Sequence, residues 1–224
     1  MLTKFPNQSR TKATAYLERV STDIAGPYRT LGRGNLKYNM LFVDEKTGYS
    51  WSYPIRYVDQ ATINLTFLQF LLDAQGTPKY LRLDNASTFT SASFSALCLP
   101  RGIQREFCQP YRHQQNGAAE SGICRLNSVA RTLLLASKLP LSLWPYATQH
   151  ATWISNRVPS ASRSVSPFFQ RHGVSPDSSL FRTFGSTVYA INGAESRDKL
   201  GRQAIACKFL GYAPHTGSSS HQYN

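Results

Sequence analysis

Tyr38-Asn-Met-Leu-Phe-Val-Asp-Glu-Lys-Thr-Gly-Tyr-Ser-Trp-Ser-Tyr-Pro-Ile55 is the stretch on which the fold turns. Its first seven residues are mostly apolar, Lys46-Thr-Gly48 supplies a turn, and from Tyr49 aromatic and polar residues alternate. Successive side chains on a strand point to opposite faces, so this pattern predicts a hairpin. Upstream, Leu17, Val20 and Ile24 mark a further strand that stops at Gly26-Pro27. Downstream, Asp59 or Thr62 caps a helix running to about Ala74. Its apolar residues Ile63, Leu65, Phe67, Leu68, Phe70, Leu71 and Leu72 cover a broad face and predict deep burial, and Gly76-Thr-Pro78 ends it. A strand at 80–84, a short helix at 91–99, a strand at 103–108 and helices at 116–138 and 141–157 follow. Three strands, helix, strand, helix, strand, helix, helix is the order of an α/β mixed sheet with helices on its faces.

The rest of the chain is read by texture. Residues 1–15 form a polar lead-in, 16–160 the α/β domain and 161–179 a Ser- and Arg-rich linker. Strands at 184–192 and 207–212 predict a small β module at 180–213, and 214–224 is a Gly-, Ser- and His-rich tail expected to be disordered. The 25 Lys and Arg outnumber the 12 Asp and Glu, giving a net charge of +13. That balance favours a polyanionic partner, nucleic acid or an anionic membrane surface. No apolar run reaches the roughly 18 residues of a membrane span, and the N-terminus has no secretory h-region. Cys98, Cys108, Cys124 and Cys207 form no CxxC pair and have no His at ligand spacing. No structural zinc and buried, reduced thiols are therefore expected.

Asp23 near the end of the first strand, Asp84 at the end of the fourth and Glu120 early in the long helix stand out by position. Phosphoryl transfer on DNA uses two divalent cations roughly 3.5–4 Å apart, and hard cations take carboxylate oxygens. Acids on adjacent strand ends and a nearby helix suit that task, Asp23 bridging both ions. Each acid also has a bland reading, as a turn residue or a solvated helix position. On the long helix Asn116, Glu120, Asn127 and Arg131 make a polar stripe opposite Ala119, Ile123, Leu126, Ala130, Leu133 and Leu134.

Thr22-Asp-Ile-Ala-Gly-Pro27, Leu83-Asp-Asn85 and Pro110-Tyr-Arg-His-Gln-Gln-Asn-Gly-Ala-Ala-Glu120 together resemble the integrase core of Ty1/copia-type retrotransposons. The resemblance continues through Leu143-Trp144, Asn156-Arg-Val-Pro-Ser160, Ser166-Pro-Phe168, Phe184-Gly185 and Phe209-Leu-Gly-Tyr212. The thirty-five residues between Asp84 and Glu120 match the spacing of the retroviral integrase group. The resemblance implies an RNase H-like five-stranded sheet followed by an SH3-like β module. It implies an enzyme, a polynucleotidyl transferase with endonuclease chemistry, that trims the 3′ ends of element cDNA and joins them to target DNA. Asp23, Asp84 and Glu120 would be its catalytic residues and its ligands for Mg²⁺ or Mn²⁺, two ions per site. Tyr111, Arg112, Gln114, Gln115, Asn116, Gly117, Arg125 and Arg131 would contact nucleic acid. The implied setting is a longer polyprotein whose zinc module lies upstream, a homo-oligomer on DNA, no membrane, and action in the nucleus after a cytoplasmic particle.

The sequence departs from the family pattern in places. After Asp84-Asn85 the family usually has Gly-Gly-Glu-Phe, and here Ala-Ser-Thr-Phe89 follows. Ala86 would be strained if that position required positive φ. Ser121 replaces a usual Arg, His113 a usual Pro, and Gly122 within the helix costs about 1 kcal/mol relative to Ala. These changes fit a divergent copy, and an alternative is an inactive remnant that only binds nucleic acid. A third reading, a nuclease that cuts without joining, requires a fourth acid, for which Asp44 or Glu45 would serve.

Overall fold

In the computed structural model, which describes residues 12–108, 117–161, 163–191 and 204–212, the hairpin is formed by β2 (Tyr38–Asp44) and β3 (Ser50–Ile55). Strand β1 (Arg19–Ala25) lies antiparallel to β2, while β4 (Tyr80–Leu83) and β5 (Gln104–Phe107) run parallel to β1. The sheet order is β3-β2-β1-β4-β5. Helices α1 (Gln60–Ala74), α2 (Ser87–Thr90) and α3 (Ala92–Cys98) link the parallel strands. Helices α4 (Gly117–Ser137), α5 (Trp144–Arg157) and α6 (Pro167–His172) follow, and β6 (Thr187–Ile191) pairs antiparallel with β7 (Ala204–Lys208).

The period of two sorts the sheet's side chains into two cores. Val20, Met40, Phe42, Leu81 and Leu83 face α1 and α3 and meet Ile63, Phe67, Phe70 and Phe94. Phe42 stacks on Phe70 with ring centroids 4.1 Å apart. Leu41 and Val43 point the other way and meet Leu126, Ala130 and Leu134 of α4 and Trp144, Ala147 and Ala151 of α5. Full burial of each large apolar side chain contributes roughly 1.5–3 kcal/mol. Both sheet faces are thus covered, as a sheet with parallel strands requires.

Several expectations are corrected by this packing. Helix α1 buries Ile63, Phe67 and Phe70, but Leu65 and Leu72 are 68% and 71% exposed. Asp59 caps it, accepting from the Thr62 amide, and Gln75 in the left-handed region ends it one residue before Gly76. The short helix predicted at 91–99 is α3, and an unpredicted turn of helix, α2, precedes it; Ser91 separates the two and caps α3 through the Phe94 amide. Ala86 sits at φ −60 and ψ 144, an extended conformation with no strain. Among the cysteines only Cys98 is buried, and Cys124 is exposed. Residues 161–179 are more than a linker. They carry α6, whose Arg171 donates to the carbonyls of Asp73 and Ala74 and lies over Tyr16, Tyr49 and Trp51. The last strand is shifted: β7 ends at Lys208, and Phe209 and Tyr212 instead pack on His150. The lead-in, except residues 12–15, and the tail beyond residue 213 lie outside the described residues. Among those described, no helix is long and apolar enough to cross a membrane.

Candidate metal and nucleic-acid site

The parallel register decides where the acids go. Ser21 pairs with Arg82. Two steps further along each strand stand Asp23 and Asp84, side by side at the C-terminal edge of the sheet. Asp23 pairs with Leu41 across β2, and Leu41 faces α4, so Asp23 does too. Helix α4 lies on this face and carries Glu120 in its first turn. Gly122 permits the approach: a Cβ there would stand 3.0 Å from Leu41 Cδ2 and 3.1 Å from Val43 Cγ2. The glycine that looked like a defect in the helix is where the helix meets the sheet.

Electrostatics register the convergence of the three acids. The Asp23 carboxyl is pushed up to about 6, first by burial and then by the charges of Asp84 and Glu120, against a hydrogen bond from the Ile24 amide. Burial also raises the Cys108 thiol; Arg82 opposes the shift, and Asp84, Glu120 and Asp23 add to it. Asp23 Oδ1 accepts from Ile24 N at 2.8 Å, and Asp84 Oδ1 from Ala86 N at 3.2 Å. Among the described residues no three Asp, Glu, His or Cys groups form a metal-binding cluster. The donor set is nonetheless of the hard-oxygen kind that Mg²⁺ and Mn²⁺ take.

A partly buried ion network lies on the same sheet face and was not legible in the sequence. Arg19 donates to Glu106 through Nε at 3.0 Å and Nη2 at 3.2 Å. Arg82 joins Glu106 at 3.1 Å and Glu45 at 3.0 Å, and Ser21 donates to Glu45. The network ties β1, β4 and β5 together beneath the two aspartates. It also engages Glu45. Asp44 is fully buried and accepts from the amides of Leu17 and Thr47 and from the Thr47 hydroxyl. Neither residue is available as the fourth acid of a nuclease.

The other predicted contacts divide. Tyr111, Arg112, Gln114, Gln115 and Asn116 lie outside the described residues, and Gly117 opens α4. Arg131 is exposed and lies eleven residues beyond Glu120, on the same helical face at about 100° per residue. Arg125 is exposed on a different face; burial first, and then the charge of Arg125, lowers the Arg163 guanidinium's affinity for its proton. Between Glu120 and Arg131, Asn127 accepts a 2.7 Å hydrogen bond from the Tyr28 hydroxyl. Tyr28 in turn lies against Trp144, with centroids 4.3 Å apart.

The sheet order, the flanking helices and the acids at the strand ends define an RNase H-like domain. Residues 13–113 match the model of the integrase core domain family. The chain is 31% identical over 199 residues to a retrovirus-related Pol polyprotein from transposon TNT 1-94 of Nicotiana tabacum, covering 88% of this chain and 15% of that protein. It is 30% identical over 215 residues to the Pol polyprotein from transposon RE1 of Arabidopsis thaliana, covering 92% and 14%. The chain thus spans about one-seventh of these relatives. Among solved structures, it resembles a chain of the simian T-cell lymphotropic virus intasome with a TM-score of 0.65 at 15% identity, covering 92% of this chain and 73% of that one. It also resembles the HTLV-2 integrase catalytic core domain, solved in complex with magnesium, with a TM-score of 0.57 at 19% identity, covering 71% and 99%. Residues 13–113 thus match the integrase core domain of retroviral-type polyproteins, and these relatives, which match most of the chain, are Pol polyproteins of plant transposons.

Proposed function

We propose that this chain is the catalytic core of a retrotransposon integrase that processes the 3′ ends of element DNA and joins them to target DNA. The supporting observation is the strand register that sets Asp23 and Asp84 side by side at one sheet edge, on the face covered by α4, whose first turn carries Glu120. These three side chains would hold Mg²⁺ or Mn²⁺, two ions in the full site. When bound, such ions polarise phosphoryl oxygens and make water or a 3′-hydroxyl nucleophilic near neutral pH. The chain's own contribution is placement. Parallel strands fix the two aspartates, Gly122 seats the helix that brings Glu120, and the Arg19–Glu106–Arg82–Glu45 network holds the strand register. Residues 16–160 would form the catalytic domain, and 180–213 an SH3-like appendage packed on α5. In the full polyprotein product the protein would act as a homo-oligomer on DNA in the nucleus, with the loop from Tyr111 to Gly117 approaching the ends. The relaxed backbone at Ala86 removes one argument for an inactive remnant.

The test is strand transfer with purified protein, Mg²⁺ or Mn²⁺, a labelled duplex bearing element-end sequence and a supercoiled plasmid. Joined products should appear with the native sequence and vanish with Asp84→Asn and with Glu120→Gln. Products that persist in both variants would refute the assignment of these acids.

A further inference from the structure

The loop between β1 and β2, residues 26–37, leaves the sheet two residues after Asp23. It carries Arg29, Arg33 and Lys37 and no acidic residue, and none follows until Asp44. All three cations are exposed, as are Arg56 at the end of β3 and Arg131 on α4. No salt bridge engages any of the five among the described residues. Exposed cations alone are ordinary, but the backbone that bears these is fixed. The Arg33 amide donates to the Ser142 carbonyl at 2.8 Å, and Trp144 Nε1 donates to the Thr30 carbonyl at 3.0 Å. Tyr28 is bonded to Lys37 through its backbone amide and to Asn127 through its hydroxyl. Gly32 lies so close to Pro145 and Trp144 that an added Cβ would meet them at 2.6 and 2.9 Å. Arg56 closes the loop by donating to the Gly34 carbonyl at 2.9 Å.

The loop is therefore a rigid shelf, pinned to α4 and α5 and bearing cations outward. Asn127, to which Tyr28 is bonded, lies seven residues from Glu120, roughly 10 Å along the helix. Arg131 continues the same face. Three carboxylates repel a phosphodiester, and a rigid cationic shelf beside them supplies the opposite field without an ordering cost on binding.

We propose that Arg29, Arg33 and Lys37, flanked by Arg56 and Arg131, form a phosphate-binding surface for double-stranded DNA that holds the duplex against the carboxylate edge. The choice of DNA over another polyanion rests on the integrase reading. The surface binds backbone, so it selects no sequence.

The experiment measures affinity for a 30-base-pair DNA duplex of arbitrary sequence in EDTA, where no chemistry proceeds, across a series of salt concentrations. The triple variant Arg29→Ala, Arg33→Ala, Lys37→Ala is compared with a charge-matched triple, Lys46→Ala, Lys79→Ala, Arg101→Ala, at the opposite end of the sheet. Unchanged circular dichroism melts show that both remain folded. Each lost phosphate contact lowers the slope of log K against log salt by about 0.9, so the loop triple should lose about 2.7 and the control close to none. An unchanged slope in the loop triple, or equal losses in both, overturns the proposal. Joined ends in the strand-transfer assay with an unchanged slope overturn this surface alone. A slope loss confined to the loop triple, in a protein that joins no ends, supports the surface and counts against the integrase reading.

Discussion

Replacing Asp23 by Asn should make the metal-free protein more stable, and only above mildly acidic pH. The Asp23 carboxyl rises from 3.8 to about 6 in the fold, so folding disfavours its charged form. The folded state then binds more protons than the unfolded state between those two values, and stability falls as pH rises through that window. A shift of about two units corresponds to about 3 kcal/mol at most, at 1.36 kcal/mol per unit. Asp23 is only half-buried, so solvent screening reduces the expected gain to about 1–2 kcal/mol. Asn keeps an oxygen for the Ile24 amide and removes the charge that burial, Asp84 and Glu120 oppose. Urea titrations in EDTA at pH 7.5 and pH 4 test this. The variant's midpoint should exceed the native one at pH 7.5 and converge with it at pH 4. Added Mg²⁺ should then raise the native midpoint and leave the variant's nearly unmoved. A variant no more stable at pH 7.5, or equally stabilised at both pH values, would refute the account of three mutually repelling carboxylates.

Gly122→Ala introduces a Cβ against Leu41 and Val43 and should destabilise the protein by about 0.5–1.5 kcal/mol, since overpacking outweighs the gain in helix propensity. Strand transfer should fall further than stability does, because the same displacement carries Glu120, and a variant more stable than the native chain would show that the contact yields freely. His150 is buried among Trp153, Phe184, Phe209 and Tyr212, and burial pushes its imidazole down to about 4, outweighing a favourable contribution from the Arg182 backbone. Among the described residues neither ring nitrogen meets a hydrogen-bond partner. The unfolded chain takes up this proton near pH 6.5 and the folded one only near 4, so stability is lost as pH falls across that interval, by up to about 3 kcal/mol. His150→Phe should abolish that part of the acid sensitivity in melts from pH 7 to pH 4, and an unchanged pH profile would place the titration elsewhere.

The strands and helices of the α/β domain were legible because each declares itself locally: alternation in the hairpin, the cap at Asp59, the two stripes of α4. The acids were legible through their motifs. What stayed hidden depends on pairs far apart in sequence. Glu106 gives no sign that it joins Arg19 and Arg82, because β5 finds its neighbours only through parallel register. Gly122 looked like a weak helix position, since its value lies in what it approaches. Leu65 and Leu72 continued an apolar pattern that the helix does not bury. Residues 161–179 read as linker because Arg171 does its packing against Tyr16, Tyr49 and Trp51, all more than a hundred residues upstream.

The ion network has a consequence for how the protein is made. Arg19 and Glu106 are 87 residues apart. At about 5–20 residues per second, the ribosome delivers the second roughly 4–17 s after the first. During that interval β1 can pair with the hairpin, but β4 and β5 have not arrived to complete the sheet. The nascent chain therefore holds Asp23 for seconds without Asp84 or Glu120 beside it. The acidic edge comes into existence only when most of the domain has emerged, so a polypeptide interrupted before β5 cannot bring the three acids together.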